Sequence, residues 1–230
     1  MSDLSVFKNT ALFAPGGTIA APLLEKYEYP WEVLSHIQEF IMAIGPSLSP
    51  SEYEMHGENV WVSKEANVFG SAYIAGPCII CTGAEVRHCA FIRGSAIVGS
   101  GAVVGNSTEL KNVILFDGVQ VPHYNYVGDS VLGRRAHMGA GAITSNVKSD
   151  KSLVSIRDGS GTVCFETGRK KVGAFLGDGA EVGCGSVLNP GTVIGQGASV
   201  YPLSSVRGYV PPHSIYKRRG EVVERNETKA

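Results

Sequence analysis

Two neighbouring stretches in the middle of the chain carry side chains that could accept a proton or orient a substrate. The first is Gln120-Val-Pro-His123-Tyr-Asn-Tyr126-Val-Gly-Asp129, and the second begins at His137. An imidazole can accept a proton near neutral pH, which the attack of an amine on a thioester requires. A single histidine at a turn is more often structural than catalytic, so the residues around His123 must decide its role.

Basic side chains lie on both sides of these stretches. Arg93 and Lys111 precede them, 18 residues apart. A guanidinium matches the geometry of phosphate oxygens, and two neighbouring cations are costly without an anion between them. The alternative is that both are solvated surface cations. A second group lies between residues 146 and 172 and has the same two interpretations: Lys148, Lys151, Arg157, Arg169, Lys170 and Lys171.

The elements that must position these side chains follow a repeat of six residues. Val, Ile or Leu occupies nine positions six residues apart, and then six more: Val62, Val68, Ile74, Ile80, Val86, Ile92, Val98, Val104, Leu110, and Leu176, Val182, Leu188, Ile194, Val200, Val206. Period six fits neither a helix nor a flat strand, and glycines between the apolar residues suit tight corners. Three hexads would close a triangular coil of 18 residues. The pattern therefore predicts an all-β parallel β-helix.

The same geometry bears on the two upstream cations and on the gap in the repeat. One coil of 18 residues would place Lys111 beside Arg93, at the usual strand separation of about 4.8 Å. Between Leu110 and Leu176 the repeat loosens, with Leu132, Met138 and Thr144 in step with one another. Breaks in a regular pattern are where functional residues tend to occur.

The repeat divides the chain into three parts. Residues 1–56 do not follow it and contain one predicted amphipathic helix between Pro30 and Gly45, with proline at the first turn. We expect this segment to cap the open first coil, as terminal repeats require, or else to form an oligomer contact. Residues 57–210 are the predicted β-helix, with an inserted hairpin at about 147–172. Residues 211–230 are a predicted charged tail.

Composition limits the classes of partner. Twenty basic and twenty-one acidic residues give a net charge of −1, which provides no general attraction to nucleic acid or to an anionic membrane. The sequence lacks an apolar run long enough to span a membrane and a secretory signal, so we expect a cytoplasmic protein. Five scattered cysteines suit reduced thiols, and the single Cys78-x-x-Cys81 pair is more typical of small buried residues than of a zinc site.

The string from His123 to Asp129 resembles the active-site region of a known family. It is similar to the C-terminal acetyltransferase domain of the bifunctional N-acetylglucosamine-1-phosphate uridylyltransferase/glucosamine-1-phosphate acetyltransferases. Gly168-Arg-Lys-Lys-Val-Gly-Ala-Phe-Leu-Gly177 resembles the archaeal sugar-1-phosphate nucleotidylyltransferase/acetyltransferases. The resemblance covers about residues 57–218 and implies a left-handed β-helix. The family's nucleotidylyltransferase domain has no counterpart in this sequence, so the resemblance does not imply pyrophosphorylase activity.

The resemblance also implies roles for particular residues. His123 matches the catalytic histidine and Tyr126 the nearby tyrosine. The implied substrate-binding residues are Arg93 and Lys111 for the sugar phosphate, with Tyr126, His137, Asn146 and Lys151. The implied residues for acetyl-CoA are Gly139, Ala140, Gly141, Cys184 and Arg218. His137 and Cys184 depart from the family, which has asparagine and serine there, and Lys151 is one residue out of step.

The leading hypothesis is an acetyl-CoA-dependent N-acetyltransferase for an amino sugar phosphate resembling glucosamine 1-phosphate, or for a nucleotide amino sugar. The resemblance implies a homotrimer with active sites between subunits. One alternative is a non-catalytic module that binds sugar nucleotides or serves in assembly. A second is a zinc-dependent γ-class carbonic anhydrase, which is disfavoured because the close histidine pair of that class is missing. We predict no metal.

Overall fold

Short strands separated by turns make up most of the described chain from Tyr53 to Glu224. A computed structural model describes residues 3–218 and 220–225. Its strands are β1 Tyr53–Gly57, β2 Val60–Ser63, β3 Asn67–Val68, β4 Tyr73–Ile74, β5 Cys78–Ile80, β6 Glu85–Val86, β7 Phe91–Ile92, β8 Ala96–Val98, β9 Val103–Asn106, β10 Glu109–Leu115, β11 Gln120–His123, β12 Tyr126–Leu132, β13 His137–Met138, β14 Ile143–Thr144, β15 Ser155–Arg157, β16 Val163–Glu166, β17 Ala174–Leu176, β18 Glu181–Val182, β19 Val187–Leu188, β20 Thr192–Ile194, β21 Ser199–Val200, β22 Ser205–Val206, β23 Tyr209–Val210, β24 Ser214–Arg218 and β25 Glu221–Glu224.

Parallel pairing stacks these strands into the three faces of a triangular prism. The first face is β2-β5-β8-β10-β12-β17-β20-β23, the second is β3-β6-β9-β11-β13-β18-β21-β24, and the third is β4-β7-β10-β12-β14-β19-β22. Strands β10 and β12 run through a corner and belong to two faces. The ladder residues point into the prism, and those from Ile80 to Leu110 are at most 1% exposed. The predicted fold class, a parallel β-helix, is confirmed.

Two short steps explain why the repeat loosens. Inward residues on β10 and β12 are five positions apart rather than six, Leu110 with Leu115 and Val127 with Leu132. The corner between the third and first faces is therefore tightened. It is turned by Asn112 (φ 53°) and Asp129 (φ 48°), in a left-handed conformation that asparagine and aspartate tolerate better than most residues. This shortened corner gathers several of the polar side chains described below.

Residues 3–52 lie along the first face. They form three α-helices, α1 Asn9–Leu12, α2 Ala21–Leu24 and α3 Ile37–Ile44, with 3₁₀ turns at Leu4–Phe7, Val33–Ser35 and Gly45–Ser47. The helix predicted from Pro30 is thus shorter than expected. The Leu34 carbonyl accepts a hydrogen bond from Asn112 Nδ2 at 3.1 Å. This bond ties the chain to the prism just before α3 begins.

The first face is apolar on its outer side as well as its inner side. The outer stripe repeats once per coil and is at most 8% exposed: Trp61, Ile79, Ile97, Ile114, Val131, Phe175 and Val193. Trp31 meets Phe175 with ring centroids 6.0 Å apart, and Phe7 meets Tyr209 at 5.1 Å. Part of the expected cap is present, since β1 pairs antiparallel with β2 at the first coil, but the segment extends well beyond that coil. The N-terminal segment covers a whole face, because that face has a second apolar stripe to bury.

The insertion leaves the prism and returns at the same place. The amide of Val172 donates to the carbonyl of Asn146 at 3.0 Å, and Gly173 N donates to Asp129 O at 2.7 Å. Between these points β15 and β16 pair antiparallel. Phe165 on β16 packs against Trp31, with ring centroids 5.1 Å apart, so the insertion and the N-terminal segment support each other.

The C-terminal region departs from the charged tail expected over 211–230. Strand β24 extends the second face by pairing parallel with β21, and β25 folds back antiparallel on β24. Tyr216 occupies the inward position at 6% exposure and closes this column. The last part of the predicted tail, 226–230, lies outside the described residues. In the part of the chain that the structure describes, no helix has the length and hydropathy to cross a membrane.

Candidate active site

His123 lies at the corner where the second and third faces meet. Its carbonyl accepts a hydrogen bond from Gly141 N at 3.0 Å, and the next coils continue the column, with Gly185 N donating to Ala140 O and Leu203 N to Cys184 O. The structure thus brings together five of the predicted residues along one edge: His123, Gly139, Ala140, Gly141 and Cys184. All but Gly139 are exposed there. We call this edge the glycine corner.

A buried asparagine holds the glycine corner in shape. Asn125 is 2% exposed, and its Oδ1 accepts from His123 N at 3.0 Å. Its Nδ2 donates to Gly139 O at 2.8 Å and to Ala142 O at 3.0 Å. The backbone positions of His123 and of the next coil are therefore fixed by one side chain. Sequence reasoning quoted this asparagine within the string but gave it no role.

The backbone N–H groups of the glycine corner differ in whether they donate a hydrogen bond within the protein. Gly139 N donates to Val182 O at 2.7 Å and Gly141 N to His123 O. The Ala140 N–H has no acceptor within the described residues, 3–218 and 220–225. A Cβ at position 139 would lie 2.7 Å from Cys184 N, so glycine is required for the coils to pack this closely. An open N–H beside an exposed imidazole is a suitable arrangement for stabilising an oxyanion.

Tyr126 begins the next strand and lies on the outer side of the third face. Its ring runs along the strand over Gly128, where an added Cβ would lie 2.5 Å from the phenol oxygen. Asn146 Nδ2 donates to that oxygen at 3.2 Å. Burial, followed by the charges of Asp129 and Glu109, raises the pKa of Tyr126. The phenol is therefore neutral at physiological pH and can donate its proton in a hydrogen bond to a ligand.

Asp129 organises the shortened corner. It is 4% exposed and accepts from three side chains: Asn112 Nδ2 at 2.9 Å, Asn146 Nδ2 at 2.6 Å and Lys111 Nζ at 3.5 Å. A buried carboxylate needs such partners because it has left water. Sequence reasoning gave no role to this aspartate. The one sequence feature that points to this corner is the five-residue step from Val127 to Leu132, which departs from the six-residue repeat.

Arg93 and Lys111 lie on adjacent coils, since the register pairs Ile92 with Leu110. Each cation also has its own carboxylate. Arg93 Nη1 is 2.7 Å from Glu109 Oε1, and this hydrogen bond raises the pKa of Arg93. The charge of the pair is thus partly compensated within the chain, and a phosphate would join an existing network rather than two isolated cations. Glu109 is a third residue that sequence reasoning missed, after Asn125 and Asp129.

Three of the predicted residues lie apart from this group. His137 is on the second face between Gln120 and Glu181, and it lines a shallow cavity of about 440 Å³. Lys151 is exposed in the first turn of the insertion. Arg218 lies at the C-terminal end, where its Nε is 2.7 Å from Glu221 Oε2.

Arg218 lines a larger cavity, of about 810 Å³. The same cavity is lined by Leu203, which ends the glycine corner, and by two more cations, Arg207 and Lys217. The cavity therefore connects the glycine corner to a basic region. Three of the six cations in the insertion are bonded to protein oxygens instead: Lys148 to Leu153 O, Arg157 to Gly161 O and Arg169 to Ser35 Oγ.

Metal ligands do not converge in the part of the chain that the structure describes. No group of three or more histidine, cysteine, aspartate or glutamate side chains there is placed to hold an ion. All five cysteines are free thiols, and Cys78 and Cys81 are buried. Burial raises the pKa of the Cys81 thiol to about 11.

Comparison with known proteins gives a consistent picture. Residues 74–160 match the family model described as the GMPPB C-terminal domain. The bifunctional sugar-1-phosphate nucleotidylyltransferase/acetyltransferase of Sulfurisphaera tokodaii is 32% identical over 158 residues, which are 69% of this chain and 39% of that protein. This chain resembles those bifunctional enzymes. The bifunctional protein GlmU of Methanococcus maripaludis is 30% identical over 198 residues, 85% of this chain and 47% of the relative.

The resemblance to this group of proteins, predicted from the sequence, is confirmed, and the chain spans about half or less of these relatives' length. Among solved structures, a hexapeptide transferase family protein from Anaplasma phagocytophilum aligns with a TM-score of 0.42 and 16% identity. The alignment covers 74% of this chain and 81% of that one.

Proposed function

We propose that this chain is an acetyl-CoA-dependent N-acetyltransferase acting on an amino sugar phosphate or a nucleotide amino sugar. The observation that carries the proposal is the glycine corner. It places His123 one coil from an open backbone N–H at Ala140, beside the face that holds Tyr126, Lys111 and Arg93. The names of the relatives, which pair sugar-1-phosphate chemistry with acetyl transfer, support the same class of reaction.

The reaction is an acyl transfer in which His123 is the general base. The acceptor's amine nitrogen attacks the thioester carbonyl carbon while the imidazole takes the amine proton. The oxyanion that forms accepts a hydrogen bond from the Ala140 N–H. The carbon–sulfur bond then breaks, and the thiolate of CoA takes up the proton, which leaves an N-acetylated sugar and free CoA. General base catalysis of this kind contributes about 10² to 10⁴ in rate.

The third face would hold the acceptor. Tyr126 donates a hydrogen bond from its neutral phenol, and Asn146 fixes the position of that phenol. Arg93 and Lys111 bind the phosphate at the edge of the same face. Both side chains already have a carboxylate partner, so the phosphate adds to a balanced network and the cations are held in place before it arrives.

Acetyl-CoA would lie along the glycine corner. The small residues at positions 139 to 141 let the thioester approach the backbone, and Cys184 lies on the next coil. The cavity lined by Leu203, Arg207 and Arg218 would take the phosphates. His137 and Lys151, which the resemblance also implied, are left without a role within a single copy of the chain; in a homotrimer they could reach a neighbouring site.

Release of CoA tests this proposal. Acetyl-CoA is incubated with the full chain and with glucosamine 1-phosphate, galactosamine 1-phosphate or a UDP-amino sugar, and free thiol is measured. We expect acceptor-dependent turnover with at least one of them. His123→Ala should lower kcat by about 10² or more.

His56→Ala is the matched control, because it removes an exposed imidazole in β1, whose ring bonds only to Glu54 among the described residues, far from the glycine corner. It should leave turnover unchanged. No turnover with any acceptor, or full activity in His123→Ala, would contradict the proposal. Saturable binding of sugar nucleotides without turnover would favour the non-catalytic alternative.

We also propose that the chain assembles as a homotrimer. The first face is covered by the N-terminal segment along its length, so the second and third faces are available for contacts between copies. A cyclic trimer is a closed assembly that would use two different faces of each copy. The glycine corner lies between these faces.

A further inference from the structure

Two aromatic side chains are exposed side by side at the N-terminal end of the third face. Tyr73 is 63% exposed and Phe91 is 41% exposed. The register places them directly opposite each other on β4 and β7, and their ring centroids are 5.6 Å apart. The guanidinium carbon of Arg93 lies 5.9 Å from the centroid of the Phe91 ring. Single exposed apolar residues are ordinary, but a contiguous pair beside a cation is a candidate binding surface.

The strands of the second face in the same coils carry polar residues at their outward positions, and Phe69 and His88 follow them at the next corner. There the outward positions of β3 and β6 carry Asn67 and Glu85. The outward positions of the third face change along the prism axis, from Tyr73 and Phe91 to Glu109 and then Tyr126. The aromatic pair is thus confined to two coils, and it continues directly into the residues proposed to bind the acceptor.

Strand spacing fixes the distances along this face. Tyr126 is one coil from Glu109, two from Phe91 and three from Tyr73, which is about 14 Å at the usual separation of 4.8 Å per strand. Lys111 and Arg93 stand at the edge of the intermediate coils. The order along the axis is therefore a hydrogen-bonding phenol, two adjacent cations and an aromatic surface.

We propose that Tyr73 and Phe91 are the stacking surface for the base of a nucleoside diphosphate, so that the acceptor is a nucleotide amino sugar. This inference rests on the proposed function and narrows its substrate class. The sugar would lie at Tyr126, the diphosphate at Lys111 and Arg93, and the base on the aromatic pair. A sugar 1-phosphate would reach the cations but not the rings. Base stacking on aromatic side chains is tolerant of base identity.

Direct binding tests the inference without relying on catalysis. Isothermal titration calorimetry with the full chain compares UDP, GDP and inorganic pyrophosphate in one buffer. We expect UDP or GDP to bind about tenfold or more tightly than pyrophosphate, because the rings add stacking to the electrostatic contact. Tyr73→Ala should remove most of this difference, whereas Tyr73→Phe should retain it. Tyr201→Ala, which removes a 46% exposed ring from the second–third corner near the C-terminal end, should leave the difference unchanged.

Several results would overturn the inference. They are equal affinities for the nucleotides and pyrophosphate, no binding of any of them, or a Tyr73→Ala affinity equal to that of the wild type. If Tyr73→Ala instead changes the assembly mass in light scattering and leaves UDP affinity unaltered, the patch is a contact between copies. Nucleotide binding without acetyl transfer would contradict the proposed function but support the nucleotide-binding surface. Acetyl transfer to glucosamine 1-phosphate without nucleotide binding would support the proposed function and contradict the nucleotide-binding surface.

Discussion

At the scale of single residues, Asp129 has the most specific environment in the candidate site. It is buried, and its backbone has a left-handed conformation. Its carboxylate accepts hydrogen bonds from Lys111, Asn112 and Asn146, and Asn146 also donates to the Tyr126 phenol. The residue is only 4% exposed and its carboxylate holds these side chains in place, so we assign it a positioning role. Removing its charge would disturb one cation and two amides at once.

Asp129→Asn should lower both stability and acceptor binding. The N–H groups of the new amide would face the N–H groups of Asn112 and Asn146, which need acceptors, and Lys111 would lose its negatively charged partner. We expect a loss of about 1–3 kcal/mol in the free energy of unfolding. If the chain is an acetyltransferase, KM for the phosphate-bearing acceptor should rise about tenfold, with a smaller change in KM for acetyl-CoA.

Thermal unfolding and steady-state kinetics check this prediction. Asp150→Asn is the control, since that carboxylate is exposed in the insertion and bonds only to Ser152 among the described residues. Equal effects of the two substitutions on unfolding would show that burial of Asp129 does not matter.

Cys81 gives a prediction about pH. Burial is the main cause that raises the pKa of its thiol to about 11 from an ordinary value of 9.0. A raised pKa in the folded state means that folding favours the neutral thiol. The corresponding stability is present below pH 9 and is lost as the pH rises to about 11. Two pKa units correspond to roughly 2–3 kcal/mol by linkage.

Chemical denaturation at pH 8 and pH 11 measures this loss. Cys81→Ala should lose less stability than the wild type between the two pH values. Cys89→Ser alters an exposed thiol and serves as the control. A pH dependence of Cys81→Ala identical to that of the wild type would contradict the assignment.

At the scale of elements, the N-terminal segment is part of the main core. It buries the outer stripe of the first face, and Trp31 links it to both Phe175 of the prism and Phe165 of the insertion. The Asn112 bond to the Leu34 carbonyl attaches the segment to the shortened corner. The segment therefore supports the candidate site from outside the β-helix.

Trp31→Ala should cost about 3–5 kcal/mol of unfolding free energy, because it leaves a cavity among three elements. Leu4→Ala in the same segment is the matched control; Leu4 is 41% exposed, so its loss should cost far less. Urea denaturation measures both. Similar midpoints for the two variants would mean that the segment packs only loosely on the first face.

At the scale of the whole molecule, the covered first face constrains assembly. Contacts between copies should use the second and third faces, with the glycine corner between them. Light scattering should give three times the mass of one chain. If sites are completed between copies, specific activity should fall on dilution as the trimer dissociates. A monomer with full specific activity would exclude the shared-site arrangement.

The sequence by itself determined the repeat, and with it the β-helix and the register of its faces. Hexad spacing is a local property, since each corner and each inward residue follows from its neighbours. The register also correctly placed Arg93 beside Lys111. The interruption indicated the region of the candidate site; it consists of two five-residue steps at one corner and of the insertion between Asn146 and Val172.

Only the tertiary structure decided what covers the first face and what holds the polar side chains. The N-terminal segment was expected at one end of the prism because terminal coils need capping. The outer stripe has one residue per coil, 17 or 18 residues apart outside the insertion, and a search for a six-residue period does not detect it. The carboxylates at Asp129 and Glu109 likewise look like ordinary surface acids in the sequence. Their partners come from neighbouring coils, so burial and charge pairing appear only when the coils are stacked.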